Sequence, residues 1–431
     1  MPPPPNILFI FTDQQHWQAI SERDVTFRTP NLDRLSAVST VFSRAYCPTP
    51  QCSPSRSSIM TGLYPSKTGV MGNVGAKGGE PLRMQTIAPA LQRAGYYTGY
   101  FGKWHLGSEA IAQAGWDVAD GPGLGEAFND PNTTQRSVEF LQTAPEDKPF
   151  ALYVSLNDPH DIYHIPKVMH EPPSGEAPLP TSWSKDHAKT AKAQGQFMRE
   201  DQGKVIVDEP EQSWLRYREY YREKVALVDG RIGEVLDALE QTGRAENTLI
   251  VFTSDHGDQD TQQRLIFKGP FMYDYTLRVP LMIKLPGQTA RRECAFPSVN
   301  VDLVPTLAEV AGAVIGAVDG VSLLPLLTGQ GEPPTREFVF AQYYSKQQWV
   351  NPIRTVVGER YKYNRYLSGE EELYDFDADP GEMNNLAANP GHADVKGALL
   401  GALEKWMLAN DDPFYTLGHT DRDGNPIERH V

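Results

Sequence analysis

Cys52 opens the stretch "CSPSRSSIMTG" (52–62), with Arg56 four residues on. The chain holds only three cysteines, Cys47, Cys52 and Cys294, so this placement asks for a reason. Pro54 suits a first helical turn and Gly62 a helix stop. Cys52 then sits at a helix N-terminus, where free N–H groups and the macrodipole favour negative charge. Arg56 lies one turn in, with donors arranged to fork onto an oxyanion or to hold the residue-52 side chain. A bare thiol there ionises more readily than in water. Three readings stand side by side: a small buried cysteine, a thiolate nucleophile, or a residue destined for chemical conversion. Cys47 and Cys52 do not make half of a closed zinc site, because no second Cys/His pair at finger spacing follows.

Other reactive side chains end apolar runs. Asp13 closes "NILFIFTD" (6–13), "NDPH" (157–160) closes "FALYVSLND" (150–158), and Asp255 and His256 close "NTLIVFTSDHGD" (247–258). Asp13 and Asp255 are hard oxygen donors; if they converge, mutual repulsion calls for a cation between them. Gln14 and His256 are the adjacent candidate ligands, and an oxygen-rich set suits calcium first, with magnesium or manganese as alternatives. Lys103 and His105 stand two apart in "GKWHLG", a spacing that turns both to one side of an extended segment. Each has a bland alternative: a helix cap for Asp13, a surface lysine and a structural histidine for Lys103 and His105.

These residues need elements to position them. Runs that are apolar on both faces fit buried parallel strands. Helical patterns lie between them at 29–39, 86–96 and 221–243, the last ending at Gly243, a C′ glycine. Strands alternating with helices imply a doubly wound α/β sheet, and such sheets bind ligands at the C-terminal ends of their strands. Residues 161–215 are polar and rich in Pro, Lys and Gln, and read as a long loop or insertion shaping access to substrate. After residue 330 the texture changes to alternating, antiparallel-type strands and a helix near 392–408. This gives a catalytic domain over 1–330 and a smaller C-terminal subdomain over 331–431. The acidic run Glu370 to Glu372 reads as a solvated strand edge. The tail after Asp411 is polar and long enough to cross into a neighbouring subunit of a homo-oligomer.

The 431 residues carry 40% hydrophobic and 22% charged side chains, ordinary for a globular chain, and a formal net charge of −15. That charge argues against nucleic acid, which needs basic surface. It leaves room for a small anionic substrate held by a local cluster of cations. No apolar stretch reaches the roughly 20 residues a membrane helix needs, and "MPPPPNILFIFTD" lacks a basic n-region and cleavage site. The expectation is a cytoplasmic protein without membrane contact.

"CSPSR" resembles the Cys-x-Pro-Ser-Arg signature of the type I sulfatases, in the alkaline phosphatase superfamily, and the Thr-Gly at 61–62 continues the likeness. "PNILFIFTDQQ", "GYFGKWHLG" (99–107), "SDHGD" (254–258), "FKGPFMYDYTLRVPLMI" (267–283) and the segment 360–387 are similar to further family motifs, in family order. The resemblance implies an alkaline phosphatase-like α/β fold and hydrolysis of a small-molecule sulfate ester. It implies that Cys52 is oxidised to formylglycine by a formylglycine-generating or radical sulfatase-maturing enzyme. One hydroxyl of the hydrated aldehyde attacks sulfur, and the other then expels sulfate. Asp13, Gln14, Asp255 and His256 would hold the metal, Gln14 replacing an aspartate of the usual motif. Arg56, Lys103, His160 and Lys268 would stabilise charge on the transferring group, and His105 would move a proton. His164 rivals His160, because Ile162 stands where the family often has proline. Asn73 would contact the sulfate or substrate, and His16 the mouth, with Trp17 either beside it or in the core. Two rivals remain: a phosphonate monoester or phosphodiester hydrolase, which tends to carry Tyr and Thr in place of Lys103 and His105, and a non-catalytic anion-binding homologue.

Overall fold

The structure, a computed structural model, describes residues 4–107, 111, 114–120 and 129–427. Its centre is a strand whose alternate side chains feed two cores: Ile7, Phe9 and Phe11 point to one face, Leu8 and Ile10 to the other. A strand buried on both sides has no polar face to show, which is why this segment reads as a continuous apolar run. Eight strands make the main sheet, in the order β5 (Val118–Asp120), β4 (Tyr97–Gly102), β6 (Phe150–Pro159), β1 (Asn6–Asp13), β7 (Thr248–Ser254), β8 (Leu281–Lys284), β2 (Thr40–Phe42) and β9 (Arg292–Cys294). Neighbours from β5 to β7 run parallel, while β8 is antiparallel to both of its partners.

Helices α1 (Pro30–Ser36), α3 (Asp130–Thr143) and α5 (Glu211–Gln241) cover the Leu8 face. The opposite face takes α2 (Cys52–Thr61) together with part of a second, antiparallel sheet. That sheet has the order β11 (Val339–Lys346), β12 (Trp349–Val357), β13 (Tyr361–Tyr366), β14 (Glu371–Asp375), while β3 (Ala45–Tyr46) and β10 (Ser298–Val299) form a separate parallel pair. Val339, Ala341, Tyr343 and Ile353 belong to the same core as α2, and α6 (Ala393–Ala409) packs Leu399, Leu403 and Met407 against Val356, Tyr363 and Leu373. The C-terminal sheet therefore shares its hydrophobic core with α2 and the main sheet.

Three expectations change. The long helix begins at Glu211, inside the segment read as an insertion. Its first turns are dense in arginine, but Arg218 and Arg222 are buried against Asp260 at 3.0 and 3.2 Å, beside buried Trp214, Tyr217 and Tyr221. The rest of 161–215 holds 3-10 turns and the short helix α4 (Lys192–Glu200). Glu372 is not at a solvated edge: it is buried, accepting hydrogen bonds from Gln194 at 2.7 Å, Asn364 at 3.0 Å and Tyr366 at 2.9 Å. The tail folds back on its own sheet, with Asp412 accepting from buried Arg354 at 2.7 Å and Thr420 donating to Val350 at 3.0 Å. Residues 428–431 of that tail lie outside the described residues. Among the described residues, no helix is long and apolar enough to cross a membrane.

Candidate active site

Parallel neighbours β4, β6, β1 and β7 all finish at one rim of the sheet. Lys103 follows β4, His160 follows β6, Asp13 ends β1 and Asp255 follows β7. Parallel alignment brings these four segments of distant sequence to one place. The N-terminus of α2 meets them there, entered through Gln51 in an extended conformation (φ −146°, ψ 143°). Cys52, the first residue of α2, places Sγ 3.0 Å from Lys268 Nζ, 3.4 Å from His256 Nε2 and 3.6 Å from Asp13 Oδ1. Burial and Asp13 oppose ionisation of this thiol, but Lys268, Lys103 and His256 outweigh them and hold its pKa well below the ordinary range.

Arg56 lies beneath this group. Its Nε and one terminal nitrogen each stand 2.9 Å from a carboxylate, Asp255 and Asp13 respectively. The other terminal nitrogen donates to the Lys103 carbonyl at 2.6 Å and to Ser155 Oγ at 2.7 Å. The guanidinium thus meets carboxylates where the sequence suggested an oxyanion, and it ties the two acids in fixed relative positions. Lys103 Nζ adds a third cation, 2.7 Å from Asp13 Oδ2.

Asp13, Cys52, Asp255 and His256 each offer one ligand atom, all within 4.8 Å of one another. Burial tends to raise the Asp13 carboxyl, yet Lys103, His160, Lys268 and Arg56 hold it well below the usual range. Burial and the Asp13 charge push Asp255 up to about 6. Gln14 adopts a left-handed conformation (φ 77°), which turns its side chain back to the rim; Nε2 donates to Asp258 at 2.7 Å and Oε1 accepts from Lys268. Asp258 is a supporting residue the sequence reading did not single out. Two buried carboxylates and an imidazole that converge here suit a divalent cation, with the Gln14 amide oxygen turned to Lys268 beside them.

A cavity of about 190 Å³ opens above this floor, with His160, Tyr163, Lys268 and Asn73 in its lining. Burial and Lys103 lower the His160 imidazole to about 4, so it is neutral at ordinary pH. His164 is exposed and paired with Asp161 at 3.8 Å, leaving His160 as the histidine of this segment that faces the cavity. The chain is not extended through Lys103 and His105: Gly102 (φ 97°) and His105 (φ 57°) turn it, yet both side chains act electrostatically on Cys52. Asn73 Oδ1 accepts from Ser53 N at 3.0 Å, fixing the loop after α2. His16 is a correction. It is 1% exposed, stacked on Tyr221 and 3.6 Å from Asp260, away from the cavity lining. Gln51, Tyr163, Tyr343 and Lys346 line the cavity and were missed.

A model of the Sulfatase family matches residues 5–313, and one described as N-sulphoglucosamine sulphohydrolase, C-terminal, matches 264–408. The chain is 27% identical to a Delta 4,5-hexuronate-2-O-sulfatase of Bacteroides thetaiotaomicron over 96% of its length and 91% of the relative's. It is 30% identical to a choline-sulfatase of Rhizobium meliloti, covering 95% of this chain and 87% of that one. A solved structure of a 2-O GAG sulfatase superposes with a TM-score of 0.88 at 27% identity, covering 97% and 95% of the two chains. With this match and with a rim where acids, lysines and Cys52 converge, the chain belongs to the sulfatase family of the alkaline phosphatase superfamily and is a sulfuric ester hydrolase.

Proposed function

We propose that this protein hydrolyses the sulfate monoester of a small organic alcohol by S–O cleavage, using an aldehyde-bearing residue made from Cys52 and a divalent cation, calcium first. The observation that carries the reading is the position of residue 52. Its side chain stands within 3.0 to 3.6 Å of Lys268, His256 and Asp13, at the rim where β4, β6, β1 and β7 finish together.

Asp13, Gln14, Asp255 and His256 would hold the cation, which supplies fixed positive charge beside the nucleophile and the sulfate oxygens. The hydrated aldehyde supplies one hydroxyl to attack sulfur and a second to release sulfate. Lys268 and His160 face the cavity and bind the sulfate and the departing ester oxygen. Lys103, held against Asp13, adds positive potential under the transferring group. His105 moves a proton at residue 52, and Asn73 orients the substrate. Arg56 acts by holding Asp13 and Asp255 at their spacing.

Residue 52 is 1% exposed, so a formylglycine-generating or radical sulfatase-maturing enzyme would act before the chain closes around it. Mass analysis of the peptide containing residue 52, from protein made in its native host, is expected to show a loss of about 18 Da. An unconverted thiol there would remove the nucleophile and leave an anion-binding site. Turnover of a sulfate against a phosphonate ester of one phenol tests the second reading, a phosphonate monoester hydrolase. The extra cation Lys103 favours the sulfate.

A further inference from the structure

We propose that Tyr163 is a further substrate-contacting residue, its phenol donating a hydrogen bond to a non-bridging oxygen of the bound sulfate beside Lys268. This deepens the sulfatase reading and rests on it. The segment that opens with His160 is a 3-10 helix over His160–Lys167. Three residues per turn put positions i and i+3 on one side, so Tyr163 follows His160 there, with ring centres 4.8 Å apart. Both side chains line the cavity. His164, one residue further round, is exposed and paired with Asp161.

The Tyr163 ring is held from behind. Phe267 takes a left-handed backbone conformation (φ 58°), and its ring stacks on Tyr163 with centres 4.0 Å and planes 14° apart. Phe267 is itself braced: its N–H donates to Tyr217 Oη at 3.0 Å, and the Tyr217 ring meets it edge-on at 5.6 Å. The next residue, Lys268, reaches Cys52 Sγ at 3.0 Å, with its ammonium 5.6 Å from the Tyr163 ring centre. Tyr163 is thus fixed between the histidine and the lysine that face the reacting group.

Its hydroxyl is uncommitted. Tyr163 Oη makes no hydrogen bond among the described residues and, unlike the enclosed phenol of Tyr343, keeps accessible surface on a half-buried side chain. Other polar groups of the lining are engaged: Asn73 Oδ1 accepts from Ser53 N, Gln202 Oε1 accepts from Lys346, and Lys268 donates to residue 52 and Gln14. A phenylalanine would fill the stack on Phe267 equally well; what tyrosine adds is a polar tip on an apolar body. Burial raises the pKa of that phenol, with Lys268 opposing, so the group stays protonated and donates without giving up its proton. An oxyanion that meets Lys268 through one oxygen offers another to a neutral donor fixed beside that lysine, and a donor locked before the substrate arrives needs no reorganisation.

The test uses the matured, calcium-loaded enzyme with an aryl, an alkyl and a sugar sulfate as substrates and inorganic sulfate as a ligand. Tyr163→Phe keeps the ring and its stack, so melting temperature and retained calcium should match the parent. KM for every ester that is turned over, and the Kd of inorganic sulfate by calorimetry, should each rise about five- to tenfold, because the contact is made to the sulfate whatever the alcohol. Tyr163→Leu also removes the stack that seats Phe267 beside Lys268, and should lower kcat as well. In Tyr163→Phe, a KM and sulfate Kd within about twofold of the parent, a loss confined to one alcohol, or a lowered melting temperature would overturn the inference and leave the sulfatase reading standing. No sulfate release by the parent from any of the esters would overturn that reading instead.

Discussion

On the floor of the cavity, Asp13, Asp255, Arg56 and Lys103 hold one another through contacts of 2.7 to 2.9 Å. On its wall, Gln51 Oε1 and Tyr343 Oη have no partner among the described residues, and Lys346 reaches its acid only at 3.4 Å. The floor comes from neighbouring strand ends and one helix start. The wall comes from the residue before that helix and the C-terminal sheet, with Gln202 from the segment after α4. Groups that must stabilise the same charge in every turnover gain from being locked in advance. On the proposed reading, the floor carries the reaction and the wall meets the alcohol.

Changes on the floor should stop turnover whatever the alcohol. Cys52→Ala removes the nucleophile, with an expected loss in kcat of about a million-fold, read as sulfate released by matured protein. Arg56→Met takes the guanidinium from two buried carboxylates and leaves Lys103, Lys268 and His256 as their nearest cationic or donor groups; breaking such a buried pair costs about 3–5 kcal/mol, visible as a lower melting temperature and, through Asp13 and Asp255, a loss of retained calcium. Lys103→Met should lower kcat by about a hundred- to a thousand-fold with little change in fold. If this variant changes KM alone, the division between floor and wall fails.

The smallest effect expected is on pH. The Lys346 ammonium, facing Asp201, Lys268 and the Arg422–Glu200 pair, is lowered to about 7. Its charge is present below that pH and lost above it. Because Lys346 lines the cavity, KM for a sulfate ester should therefore rise as pH rises from about 6 to about 8. A KM unchanged over that range would show that Lys346 does not act on the bound sulfate ester.

The acids of the floor were legible in position because Asp13 and Asp255 end apolar runs, and such runs announce buried parallel strands, whereas Arg56 and Lys103 were singled out by their motifs. β1, β6 and β7 fall where "NILFIFTD", "FALYVSLND" and "NTLIVFTSDHGD" placed them. The wall was not legible. Tyr343 and Lys346 sit on a strand whose alternation says only that it is antiparallel, and the contact joining Gln51 to Ser345 spans 294 residues of sequence. His16 misled by adjacency: the left-handed turn at Gln14 sends it into a buried stack with Tyr221 rather than to the mouth. The start of α5 was hidden because charge density normally means solvent, and here Asp260 lets two arginines be buried.

The central claim is that one rim of the sheet cleaves the S–O bond through residue 52. Hydrolysis of a sulfate ester by the matured enzyme in heavy-oxygen water tests it most directly. The account predicts the label in the released sulfate, none in the alcohol, and no reaction with Cys52→Ala. Label in the alcohol, or undiminished release by Cys52→Ala, would contradict it.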